Sequence, residues 1–113
     1  MNNIELQITD TLIGHGKEAV KGALLIVEYE GFLDDGTKFD SSLDRGRSFE
    51  FVIGSGRVIK GWDQGVMGMK VGGKRTLYVP AHLGYGERQM GSFIKPHSNL
   101  LFHIELKEVR TRD

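Results

Sequence analysis

Four aspartates fall close together at Asp34, Asp35, Asp40 and Asp44, and four histidines are spread along the chain at His15, His82, His97 and His103. Neighbouring carboxylates can divide acid and base work, and histidine can move a proton or hold a metal. Spacing decides between these uses. Asp34 and Asp35 sit in "LDDGTKFD", where Asp35 and Gly36 are a pair that accepts a tight chain reversal, so turn chemistry explains them more simply than catalysis. Asp40 and Asp44 have no such simple explanation. The histidines show neither the i, i+4 pairs nor the clustered spacings of metal sites, so no metal or cofactor is expected. Nucleophilic catalysis also lacks its parts, because the chain has no cysteine and neither Ser48 nor Ser55 lies in the glycine-flanked elbow of hydrolases.

The stretch "GMKVGGKR" nearly spells a phosphate-cradling loop, with Gly68, Gly73 and Lys74 at the required spacing. Arg75, however, stands where a serine or threonine hydroxyl should hold magnesium, and the segment leads from helix to strand, the reverse of the order that aims amides at phosphate. It reads as a glycine turn with exposed basic residues. Fifteen basic and fifteen acidic residues cancel, and no block of like charge occurs, so a nucleic-acid partner is not expected. The longest apolar run, "ALLIV", is far below the roughly 20 residues a bilayer requires. The start "MNNIELQITD" has neither a basic leader nor an apolar signal region, and the lack of cysteine fits a reducing compartment, so the expectation is a cytoplasmic protein. A signal peptide already removed would leave the same sequence.

The elements that would position any site are short. A chain of 113 residues suits a single domain over residues 1–113. Its 16 glycines, spread throughout, suggest many turns. "IELQIT" and "LLIVEYEGFL" read as strands, and "SFEFVIG" alternates with Phe49, Phe51 and Ile53 on one side. "KRTLYVP" is a strand that Pro80 ends. In "NLLFHIELKEV" Leu100, Phe102, Ile104 and Leu106 fall on one face and His103, Glu105 and Lys107 on the other, as in a half-buried strand. Between them, Val58, Ile59, Trp62 and Val66 recur at helical steps, interrupted by Gly61, Gly65 and Gly68. Each mid-helix glycine costs on the order of 1 kcal/mol against alanine, so such a helix must be held by burial on a sheet, its glycines permitting close approach. Strands around one helix predict an α+β domain, an antiparallel sheet with a helix on one face.

The phrases "VEYEGFLDDGTKFDSS", "FEFVIGSGRVIKGWDQGVMGMKVGGKRTLYVP", "LGYGE" and "NLLFHIEL" together closely resemble the FKBP-type peptidyl-prolyl isomerases, the immunophilins that also bind macrolide immunosuppressants. The match covers almost the whole chain, with its motifs in the family's order and spacing. It implies a five-stranded antiparallel half-barrel wrapped around one short helix. It also implies a rotamase of protein folding, which twists X-Pro bonds in peptides and in unfolded or partly folded proteins without covalent chemistry.

Carried over position by position, the resemblance puts Tyr29, Phe39, Asp40, Phe49, Val58, Ile59, Trp62, Tyr85 and Phe102 around one apolar pocket between helix and sheet, with Trp62 as its floor. It implies that the Ile59 amide donates to a ligand carbonyl, and it gives catalytic roles to Phe39, Asp40 and Tyr85. Taken singly, each aromatic reads as ordinary core and Asp40 as a turn or cap carboxylate. Where many members have two prolines before the last strand, this chain has "RQMGSFIKPHSN", with Lys95 in place of the first. Ile94 matches an apolar position lining the pocket and Phe93 adds bulk beside it, so Met90, Phe93 and Lys95 bear on substrate preference. The chain lacks the chaperone insertion, histidine-rich tail and helical dimerisation segment of other branches, and a monomer is expected. A proline-binding module without useful turnover is the main rival reading, and a purely structural β domain the weakest.

Overall fold

The computed structural model describes residues 5–111, in six strands and one α-helix. The strands are β1 (Gln7–Leu12), β2 (Leu24–Leu33), β3 (Lys38–Ser41), β4 (Phe49–Val52), β5 (Lys74–Val79) and β6 (Leu100–Arg110); the helix is α1 (Lys60–Gly65). All pairings are antiparallel, in the order β1-β5-β6-β2-β3, and β4 also pairs with β2. β3 lies against residues 30–32 of β2 and β4 against residues 24–27, so the two share one edge as a strand interrupted by the loop 42–48. The sheet therefore has five positions across and six strand segments, curled around α1.

Alternation places the core. In β2 Leu25, Val27 and Tyr29 are buried, in β5 Leu77 and Val79, and in β6 Leu100, Phe102, Ile104 and Leu106. Each such aliphatic or phenyl side chain contributes about 1.5–3 kcal/mol by leaving water. The alternation in β6 then slips: Val27 pairs with Leu106 and Ile26 with Glu108, leaving Lys107 unmatched. This bulge returns Val109 to the buried face. β1 behaves differently from the other strands. Among the described residues it pairs only with β5, and its alternation buries nothing, Ile8 and Leu12 being 47% and 51% exposed. Ile4, first residue of the "IELQIT" stretch, lies outside the described residues.

The helix is shorter than its apolar spacing suggests. Ile59 has extended backbone (φ −59°, ψ 150°), so Val58 and Ile59 precede the helix, and Ile59 supplies only the carbonyl that accepts from the Trp62 and Asp63 amides. Six residues with two glycines and no side-chain N-cap have no stability alone. Tertiary contacts hold them. A Cβ at Gly61 would stand 2.5 Å from Val79 Cγ1, and one at Gly65 2.8 Å from Leu77 Cδ1, so glycine lets the helix backbone lie directly on β5.

Arg75 closes the far end, and here the sequence reading needs correction. Its side chain is not a solvated charge but only 12% exposed. The guanidinium donates to the Gly65 and Met67 carbonyls at 2.9 and 3.0 Å and pairs with Asp10 at 2.6 Å. A cation thus satisfies the last carbonyl of the short helix and one just beyond it, at the negative end of the helix dipole. The turn after β2 is as expected: Gly36 takes φ +88° and Asp35 Oδ1 accepts from the Thr37 amide at 2.9 Å.

Candidate functional site

Helix and curled sheet do not close on each other completely. Between them lies a cavity of about 500 Å³. β2 contributes Tyr29, β3 contributes Phe39 and Asp40, β4 contributes Phe49 and β6 contributes Phe102. The segment before the helix adds Val58 and Ile59, the helix itself Trp62, and the loop after the short 3-10 turn Ala81–Leu83 adds Tyr85. Nine of the ten residues singled out in the sequence meet in this space. Ile94 does not line it. That residue is 6% exposed within the hydrophobic core, and its backbone is tied to Met90 by paired hydrogen bonds of 2.8 and 3.2 Å.

Trp62 is the floor because three elements enclose it. Its indole meets Tyr29 at 4.9 Å, Phe102 at 5.3 Å and Phe49 at 5.8 Å between ring centroids, each steeply angled. The indole N–H is buried with no hydrogen-bond partner among the described residues. Such an orphan costs about 1–3 kcal/mol. Gly31 makes room for the opposite wall. A Cβ there would sit 2.7 Å from Phe39 Cζ and 2.9 Å from Phe102 Cε1, so only glycine lets both rings reach the cavity. A glycine inside the strand pattern "YEGFL" was the available signal.

Polar groups are few and organised. The Tyr29 hydroxyl donates to Asp40 Oδ2 at 2.5 Å and accepts from Arg45 Nη2 at 2.5 Å. Asp40 Oδ1 accepts from the Ser41 amide at 2.9 Å and lies 3.6 Å from Arg45 Nη1. Burial first, and then the Asp40 carboxylate, push the Tyr29 phenol far above its ordinary range. The Tyr85 phenol is raised by the same causes in the same order. Both remain neutral O–H donors at physiological pH. Among the described residues the Tyr85 hydroxyl and the Ile59 N–H have no hydrogen-bond partner in the protein.

The four aspartates separate in space. Asp35 serves the turn, Asp34 accepts from the Tyr78 hydroxyl at 2.8 Å, and Asp44 pairs with Lys38 at 2.8 Å. Only Asp40 reaches the cavity. Asp63, on the helix, accepts from the Gly54 and Gly56 amides at 2.8 and 3.0 Å and so fastens the loop that leads to Val58 and Ile59. Sequence reasoning missed Arg45, Asp63, and the lining residues Gly56, Arg57, Gly84 and Arg88. Their roles depend on loop paths that no periodicity encodes.

An antiparallel half-barrel closed on one helix, with an aromatic cup and a handful of neutral donors, defines a class of small domains with an open cavity between helix and sheet. Comparison narrows the class. The profile of FKBP-type peptidyl-prolyl cis-trans isomerases matches residues 16–107. An FK506-binding protein of Neisseria meningitidis serogroup A is 54% identical over 104 residues, covering 92% of this chain and 95% of that one. The crystal structure of AtFKBP13 superposes with a TM-score of 0.86 at 45% identity, over 94% of this chain and 93% of that one. That of FkpA from Escherichia coli gives 0.86 at 34% identity, over 96% of this chain and 49% of the other. The chain belongs to the FKBP-type peptidyl-prolyl cis-trans isomerase family. It is an enzyme that accelerates rotation about X-Pro bonds.

Proposed function

We propose that the rotation takes place in the Trp62 cavity, by non-covalent stabilisation of the twisted imide, and that the same cavity takes macrolide immunosuppressant-type ligands. The peptide bond is planar because resonance spreads charge onto oxygen, and turning it meets a barrier of roughly 18–20 kcal/mol. For X-Pro the two planar ends differ by only about 0.5–1 kcal/mol, so the difficulty is kinetic. Twisting reduces the resonance that water favours. A cup of aromatic rings withdraws that water, and a donor aimed at the substrate holds it in place. Each 1.4 kcal/mol or so of preference for the twisted form gives a tenfold rate.

The observation that carries this reading is a largely aromatic cavity to whose lining Ile59 brings an N–H and Tyr85 a hydroxyl that have no partner among the described residues. In the proposal Ile59 holds a substrate carbonyl, Phe39 and Trp62 enclose the prolyl ring, and Asp40 with Tyr29 fixes the polar rim. Proline-containing peptides and partly folded chains are the substrates. The macrolide assignment draws on the name of the Neisseria relative as an FK506-binding protein. A monomer in the cytoplasm completes the proposal on composition, checked by light scattering and cell fractionation.

The test is isomerisation of a proline peptide with and without a macrolide. In Phe39→Ala, turnover should fall at least tenfold, while the loss of stability stays at about 1–2 kcal/mol, since this ring is only half buried. The macrolide should compete with peptide in the unaltered protein. Equal loss of both properties, or turnover untouched by saturating macrolide, would remove the cavity from the reaction.

A further inference from the structure

We propose that two arginines on the cavity, Arg57 and Arg88, give this isomerase a preference for proline segments with an acidic side chain close to the X-Pro bond. The inference rests on the cavity being the site of turnover. Both arginines line it, and both are exposed. Arg57 directly precedes Val58 and Ile59, and the Arg88 amide donates to the Tyr85 carbonyl at 3.0 Å, so each is tied to a wall where substrate would lie.

Their freedom distinguishes them from the neighbouring arginines. Arg75 is committed to Asp10 and two carbonyls, and Arg45 to the Tyr29 hydroxyl and Asp40. Among the described residues, no side-chain hydrogen bond or ion pair holds Arg57 or Arg88. The nearby acids are engaged elsewhere. Asp40, the one acid in the lining, lies 3.6 Å from Arg45 and accepts from Tyr29, while Asp63 turns its two oxygens to the Gly54 and Gly56 amides. Glu87 adjoins Arg88 in the chain but does not line the cavity. A protein of zero formal charge thus presents two uncompensated guanidinium groups at its site.

Arginine stays charged at every physiological pH, and its planar fork suits a carboxylate. The charge acts within the Debye length, about 8 Å at physiological salt. An extended peptide advances about 3.3–3.6 Å per residue, so the effect reaches roughly two residues either side of the proline. Glutamate or aspartate there should be favoured and lysine disfavoured. Because the pairs are solvent-exposed, the factor is modest, about three- to fivefold for Glu over Gln, with Lys below Gln by a similar factor.

The experiment compares kcat/KM for three proline peptides that differ only in having Glu, Gln or Lys beside the proline. At low ionic strength the expected order is Glu, Gln, Lys, and the spread should shrink towards unity at about 0.5 M salt. The double variant Arg57→Glu/Arg88→Glu should reverse the order. Equal rates for the three peptides at low salt would overturn the inference, as would an unchanged order in the double variant. Either result would leave turnover of the Gln peptide, and with it the reading of the cavity as the isomerase site, in place.

Discussion

The two sides of the cavity are built differently. One side comes from regular elements: Tyr29, Phe39, Phe49 and Phe102 stand on strands and Trp62 on the helix, their positions set by backbone ladders and by glycines that allow close approach. The other comes from loops, with Arg57 and Val58 on the segment before the helix and Tyr85 and Arg88 beyond the 3-10 turn. The regular side shares its side chains with the hydrophobic core. On the loop side Val58 and Tyr85 only pack against that core from outside, Arg57 and Arg88 are exposed, and the segment before the helix is held by hydrogen bonds such as those that Asp63 accepts from the Gly54 and Gly56 amides. Chemistry that needs a rigid dry surface can therefore sit on the first side, while selectivity can change on the second at little cost to folding.

Substitutions that separate the two sides test this contrast. The largest effect should come from Trp62→Ala, which removes a 4% exposed indole meeting rings from three strands. A loss of about 3–5 kcal/mol in denaturant unfolding should accompany loss of isomerase turnover, because floor and core are the same group. If turnover vanished with stability intact, floor and core would be separable and the contrast would fail.

A smaller effect is expected from Asp63→Ala. It frees the Gly54 and Gly56 amides, costs about 1–2 kcal/mol, and loosens the segment carrying Arg57, Val58 and Ile59. KM for a proline peptide should rise several-fold with kcat little changed. A fall in kcat with KM constant would mean that this loop acts on the twisting step.

The smallest effect concerns pH. The Tyr29 phenol is raised above its ordinary value of 10.0, so folding favours the protonated form. Its contribution to stability is complete below about pH 10 and is lost as pH rises through the elevated folded value, where the unfolded chain ionises first. Tyr29→Phe, followed by unfolding between pH 9 and about 11.5, should show a shallower alkaline decline than the unaltered protein. Identical slopes would show that the Tyr29 hydroxyl does not carry the linkage.

Much of the regular side was legible in the sequence. Period-two alternation in β4 and β6 predicted which residues face inward, and the glycine-rich helix was expected on a sheet because its propensity could not sustain it. Boundaries were less legible. Val58 and Ile59 fit the helical spacing yet lie before the helix, and the phase slip at Lys107 follows from register with β2, which no single strand encodes. Arg75 was misread as solvated because its carbonyl and carboxylate partners come from the helix end and from β1.

The sequence by itself determined the parts: which faces are apolar, where the chain can turn, and, through the resemblance carried by its motifs, the family. Tertiary structure alone decided that Asp40 and not Asp44 reaches the cavity, that Gly31 is the gap through which two rings meet, and that Arg45 and Arg75 are occupied while Arg57 and Arg88 find no side-chain partner among the described residues. The physical reason is range. Periodicity and turn chemistry act between neighbours in the chain, whereas hydrogen bonds, charge pairing and ring packing act over a few ångströms between residues brought together only by the closed sheet.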